Sequence, residues 1–216
     1  MKGLFVKDMC LNFRTGKTIL MYLIICFIMG FSMESEFIIG YATMLFGIMA
    51  VGTISYDELD NGMPFLMSLP VDRKSYVTEK FVYSLIMHVA GAVFGMIVYI
   101  ICALIKGQEV DVIGALPYVL AIIAVMSMFI FAMIVIELKF GAEKSRLALL
   151  IIYGAVAVVL LAVKKIPGVS EAVARLAVML ESASPVMVAI VMVAAVAVID
   201  LLLYLLAVRV MKNKEF

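Results

Sequence analysis

Six stretches of this chain are long and apolar enough to cross a lipid bilayer, and they limit the possible folds more than any other feature. They run over Thr18–Met33, Phe37–Ser55, Phe81–Ile105, Val112–Ile136, Leu147–Val163 and Pro185–Val208. A spanning helix needs about 20 mostly apolar residues, within a range of about 17–25. The first and fifth runs are short and borrow flanking residues. In lipid a lone segment must satisfy its own backbone, which leaves helices or closed barrels. The period-2 alternation of a membrane barrel is missing. Composition agrees: 66% of residues are hydrophobic and 15% charged, where soluble domains are about half apolar and a quarter charged. The expected fold is an all-α membrane protein, a single transmembrane domain over 1–216. The net charge of +1 argues against a nucleic-acid partner and leaves the lipid bilayer as the first one.

Lys and Arg set the expected orientation. With six spans both termini share one side, and that side collects thirteen of the 17 basic residues. Only Lys106, Lys164, Lys165 and Arg175 fall on the other. The positive-inside rule then places both termini in the cytoplasm. The basic start followed by an apolar run lacks a small-x-small cleavage site, so the first helix reads as uncleaved. Ahead of it, Leu4, Phe5, Met9, Leu11 and Phe13 alternate with Lys7, Asp8 and Arg14. That pattern suits a helix lying in the membrane interface; a frayed extension of the first span is the alternative. The first two spans are joined only by Glu34-Ser35-Glu36, a tight hairpin. Cys10, Cys26 and Cys102 show no pairing pattern, and no disulfide is expected.

Catalytic signatures are missing from the sequence. Gly16-Lys17-Thr18 looks like the end of a phosphate loop, but position 11, where the motif needs Gly, is Leu, and no buried strand precedes it. Lys17 reads as a flank of the first span. A single histidine cannot furnish a His-rich metal site. No intramembrane catalytic constellation can be assembled, and the chain does not read as an enzyme. No cofactor, metal or catalytic residue is expected on it.

The polar island between the second and third runs is the main functional clue. It opens on Asp57, Glu58 and Asp60, then Asn61-Gly62 offers a turn or helix stop. An apolar stretch with Phe65, Leu66, Met67 and Leu69 follows between Pro64 and Pro70, and the island closes on Asp72, Arg73, Lys74 and Tyr76. Apolar side chains rimmed by charge mark a docking surface. The alternative is that they tuck against the protein's own helix ends.

Glu58, Gly62, Leu69, Pro70, Val71, Asp72, Arg73, Tyr76, Val77 and Lys80 together resemble the loop after span two in permeases of ABC-2-type transporters. The six spans, interfacial N-terminal helix and short polar C-terminus fit as well. More narrowly, the small size is similar to permeases exporting amphipathic peptides, such as those serving phenol-soluble modulins in staphylococci. The resemblance implies a bacterial cell-membrane exporter of two permeases and two separate ATP-binding subunits. ATP and Mg would be held by the partner. Asp57, Glu58, Asp60, Gly62, Phe65, Leu66, Leu69, Pro70 and Arg73 would form a coupling helix in a groove of the ATPase, the acidic cluster setting register against a basic patch.

Polar and small residues inside the spans add secondary expectations. Gly91 and Gly95 have the spacing that lets two helices approach closely, within one subunit or across a dimer. His88 and Asp200 lie at similar depths, about 12 and 13 Å from the cytoplasmic face at 1.5 Å per residue. A charge in a span is costly and faces protein or water. The two residues could pair along a substrate route, or Asp200 could find a hydroxyl or water and His88 a backbone carbonyl. Glu137 and Lys139 read as a solvated boundary of span four. Residues 164–181 suggest a short outer helix, with Val173, Leu176, Val178 and Leu180 periodic. Two other classes stand beside the transporter reading. A non-transporting scaffold or immunity-type protein would bind a cytoplasmic partner without an ATPase. An ion-coupled secondary transporter would show internal repeats and broken helices with buried charge.

Overall fold

The computed structural model describes residues 2–215 except 15, 33–36, 60, 61, 109, 111 and 164–183. The Glu34-Ser35-Glu36 link, Asp60 and the expected outer helix over 164–181 lie outside the described residues.

Seven helices carry the described residues: α1 Lys2–Arg14, α2 Gly16–Ser32, α3 Phe37–Glu58, α4 Gly62–Ser68, α5 Arg73–Ile105, α6 Val112–Val163 and α7 Pro185–Lys212. There is no strand among the described residues. Among the described residues four helices are long and apolar enough to cross a membrane: α3, α5, α6 as far as Ser145, and α7 from Val186. A fifth is added if the bent pair α1–α2 counts as one. Among the described residues, helix length and composition therefore show four or five of the six expected spans. The two shortest apolar runs make the difference. The first, as far as Ser32, lies in the 17-residue α2, and Leu147–Val163 continues α6 beyond a break at Gly141.

That break is local chemistry. Gly141 has φ 79° and ψ 166°, a conformation that costs a residue with a Cβ and that glycine adopts freely. At the start of α5, Asp72 is the N-cap, its carboxylate accepting from the Ser75 amide at 3.3 Å and satisfying one orphan donor of the first turn. The 33 residues of α5 span about 50 Å, against about 30 Å of hydrocarbon. Its first two turns, before the apolar run starts at Phe81, therefore project beyond the span.

α3 and α5 form the central pair. Half of α3's most apolar stretch is buried, against 11% of α7's, so α3 is enclosed and α7 peripheral. The expected close-approach glycines act inside this subunit. A Cβ on Gly91 would lie 2.8 Å from the Ala42 carbonyl oxygen, and one on Gly95 2.8 Å from the Ile39 Cα. α5 therefore rides directly on the α3 backbone. One core cluster gathers near α4, built on Ile54, Met63, Tyr76, Val77, Ile134, Leu138 and Met211. Another fills the opposite half around Cys26, Ile38, Ala42, Val98 and Cys102. Cys26 and Cys102 are buried and Cys10 exposed, all three as free thiols.

Candidate functional site: the α3–α4–α5 joint

The polar island folds into a short helix, α4, slung between the ends of α3 and α5. Its inner side is apolar: Met63 is buried, and Leu66 and Met67 pack onto the neighbouring core. Val71, just past it, packs there too. Its outer side carries Phe65, 69% exposed, and Leu69, 43% exposed, with Pro64 and Pro70 also exposed. Leu66 thus belongs to the inner side rather than the outer one. Gly62 is required by contact: a Cβ there would sit 2.8 Å from the Asp57 carbonyl oxygen.

Two polar clamps hold the helix ends from which α4 hangs. The first joins α1, α3 and α5. Asp57 is ion-paired with Lys7 of α1 and, at 2.9 Å, with Lys80 of α5. It also accepts from the Tyr76 hydroxyl at 2.9 Å. Lys80, 1% exposed, pairs with Asp8 as well and donates to Thr53 at 2.8 Å. Asn12 donates to the Tyr83 hydroxyl at 2.7 Å. Two ammonium groups thus face two carboxylates in a buried setting, where an unpaired charge is very costly. Glu79 stands beside them with both carboxyl oxygens buried and no hydrogen-bond partner among the described residues.

Lys7 and Asp57 lie outside the apolar runs. Burial alone would lower the Lys7 ammonium, but its bond to Asp57 and the charges of Asp8 and Asp57 hold it above its ordinary value. Burial alone would raise the Asp57 carboxyl, and Lys80 and Lys7 hold it below its ordinary value instead. In both cases the nearby opposite charge outweighs desolvation.

The second clamp joins α3, the break in α6 and the C-terminal tail. Glu58 accepts from the Ala142 amide at 2.5 Å, capping the helix that restarts after Gly141. Its other oxygen takes Lys214 at 3.0 Å. Arg73 donates to three carbonyls at the end of α7 and beyond: Met211 at 3.1 Å, Lys212 at 2.7 Å and Lys214 at 2.9 Å. Ser55 also donates to Glu137.

Of the acidic residues expected to dock a partner, Asp57 and Glu58 are engaged within the chain. They turn inward and are consumed by the clamps, because buried and half-buried cations from distant helices meet them there. Arg73 likewise serves the chain's own tail. Glu137, expected at a solvated boundary, is 4% exposed. Lys7, Asp8 and Lys214 were not foreseen as part of this site. The signal for α1 was present in the sequence: Leu4, Asp8 and Asn12, spaced by four, share one face and are its buried residues.

His88 and Asp200 do not meet. The His88 Nδ1 lies 2.5 Å from the Ser84 carbonyl oxygen, and Asp200 accepts from the Ser127 hydroxyl at 2.7 Å. His88 is fully buried and fills room left by Gly47, where a Cβ would lie 2.8 Å from its Nε2. Each residue finds its own neighbour, as the alternative reading had it. Among the described residues no cluster of His, Cys, Asp and Glu could hold a metal ion.

In comparison with known proteins, a family model described as ABC-2 family transporter protein matches residues 3–212. No curated protein and no solved structure matches the chain. With nearly its whole length covered by that model, the chain belongs to the ABC-2 transporter family as a membrane permease.

Proposed function

We propose that this permease is the transmembrane half of an ABC exporter and that α4 is its coupling helix, the seat of a separate ATP-binding subunit. ATP and Mg are held by that subunit, and the permease contributes no catalytic residue. Two permease chains, identical or related, assemble with two such subunits in the bacterial cell membrane. Six spans with α1 in the interface put both termini and α4 in the cytoplasm. Export of amphipathic or hydrophobic substrates, peptides among them, is the transport reaction this reading favours.

The observation that carries the proposal is the two-sidedness of α4. Met63, Leu66 and Met67 anchor it from within, while Phe65 and Leu69 stand outward with no fold-internal role that would require them there. The clamps at both ends supply the stiffness by which a push on α4 would reach α3 and α5 together. Such a joint suits transmission of force better than flexible linkage. Asp60 remains a candidate for contact with the ATPase, while Asp57, Glu58 and Arg73 serve coupling as positioning residues.

Binding of the purified permease to the ATP-binding subunit tests this. An exposed aromatic anchor at an interface is commonly worth about 2 kcal/mol, or roughly 30-fold in affinity. Phe65→Ala and Leu69→Ala together should weaken ATPase binding by at least that much. The melting temperature of the permease alone should stay near the wild-type value, since both side chains are exposed. ATPase binding unchanged in the double variant would remove α4 as the docking element.

A further inference from the structure

A groove of about 420 Å³ lies between the end of α6's first part and the C-terminal turns of α7. Its floor is apolar, from Leu138, Leu206 and Val210, and its rim carries Lys139, Arg209 and Lys214. On α7, Leu202, Leu206, Arg209 and Val210 follow helical spacing and share one face. Leu202 and Leu206 are 60% and 48% exposed. An open apolar track therefore runs along the membrane-facing helix and ends at three cations.

We propose that this groove binds an anionic phospholipid, its phosphodiester between Lys139 and Arg209 and an acyl chain along Leu206 and Leu202. Lys214 is already engaged by Glu58 at 3.0 Å, so it supports the rim rather than supplying the charge. Lys139 makes only a contact over the Phe140 ring, 5.2 Å to its centre. Neither Lys139 nor Arg209 makes an ion pair among the described residues. The carbonyl end of α7 would by itself repel an anion. Arg73 offsets that by taking three of the carbonyls there. Basic pockets between membrane helices suit anionic head groups, at about 1 kcal/mol per Lys or Arg near the surface. A free phosphate would use the cations but not the apolar track, and the combination selects a lipid.

Native mass spectrometry of the full-length permease, with added lipids of matched acyl chains, tests this. Phosphatidylglycerol should be retained well above phosphatidylcholine. Lys139→Gln and Arg209→Gln should each reduce retention about fivefold, and together about 25-fold. Lys212→Gln, an exposed cation one residue outside the groove lining, should leave retention unchanged. Equal retention of the two lipids, or of phosphatidylglycerol by the double variant, would overturn the proposal. So would an equal loss in Lys212→Gln, which would mean diffuse surface charge. Displacement by millimolar inorganic phosphate would assign the groove to a free anion, and displacement by soluble polyglutamate to an acidic protein segment; either result rejects the lipid. Both variants change exposed side chains, and a melting curve for each confirms that the fold is retained.

Discussion

Asp57 and Glu58 are neighbours in the chain and sit in opposite kinds of place. Asp57 faces two lysines, a second carboxylate, a threonine and a tyrosine; Lys80 and both carboxylates are closed to water, and only Lys7, 28% exposed, reaches it. Glu58 faces a half-open joint, where one oxygen caps a helix and the other meets a lysine on the tail. The same chemistry, a carboxylate meeting an ammonium, therefore has different consequences on the two sides of α4. In the buried clamp Lys80, Asp8 and Asp57 have no water to turn to, so the pieces they join are held or lost together. In the open clamp water can replace Lys214, and what remains is mainly the backbone cap. The clamp on α1 is thus a structural lock, and the clamp on the tail an adjustable one.

The comparison is broken most directly at Lys80. Replacing it with Ala leaves Asp8 and Asp57 buried with too little positive charge. Removal of one partner from a buried pair costs about 3–5 kcal/mol, and the variant should melt far below the wild type in detergent. A second change, Asp8→Asn in the Lys80→Ala background, should recover part of that loss by removing one of the stranded charges. A small loss for Lys80→Ala would mean that water enters this clamp as freely as the other.

Glu58 sharpens the contrast. Glu58→Ala should cost about 0.5–2 kcal/mol, the usual range for losing a helix cap. Glu58→Gln keeps an acceptor for the Ala142 amide and loses only the ion pair with Lys214. Lys214 is about a quarter exposed, and pairs of that kind are worth about 0–1 kcal/mol. Gln should therefore fall between wild type and Ala in melting temperature. If Gln and Ala melt together, the ion pair rather than the cap holds this joint.

The smallest effect is one of pH. Asp57 has a depressed carboxyl, so its contribution is present above the ordinary 3.8 and is lost as pH falls below that. Lys7 has a raised ammonium, so its contribution is present below the ordinary 10.5 and is lost as pH rises past it. Between about pH 5 and 9 neither group changes charge. Glu79 beside the clamp does titrate there, because burial and the Asp8 charge push its carboxyl up to about 7 while Lys7 favours its ionised form. The difference in melting temperature between wild type and Lys7→Gln should therefore widen as pH rises through about 7. A flat profile would show that Glu79 does not feel Lys7.

Several parts of this site were legible in the sequence, and the residues show why. The loop between the second and third apolar runs announced itself by charge, and the short helix in it was expected from the resemblance to ABC-2-type permeases. Phe65 and Leu69 were recognisable as apolar residues in a polar stretch, which is a local property. Asp57, Glu58 and Arg73 were misread because their exposure was inferred from their neighbours in the chain. Their real partners lie 50 residues away in α1, 84 in α6 and 138 or more in the tail. Glu137 was misread for the same reason, since Ser55 reaches it from 82 residues away.

The sequence by itself determined that this is a helical membrane protein, because span length and apolarity are properties of contiguous residues and lipid leaves the backbone few options. It also determined where the polar joint would fall. Only the tertiary structure decided that the joint is clamped by α1 and by the C-terminal tail. It also decided that Gly91 and Gly95 seat α5 on α3 of the same chain, and that His88 and Asp200 go to separate neighbours. A helix specifies which residues share a face, but not which other face it will meet, and the fate of a charge depends on that meeting.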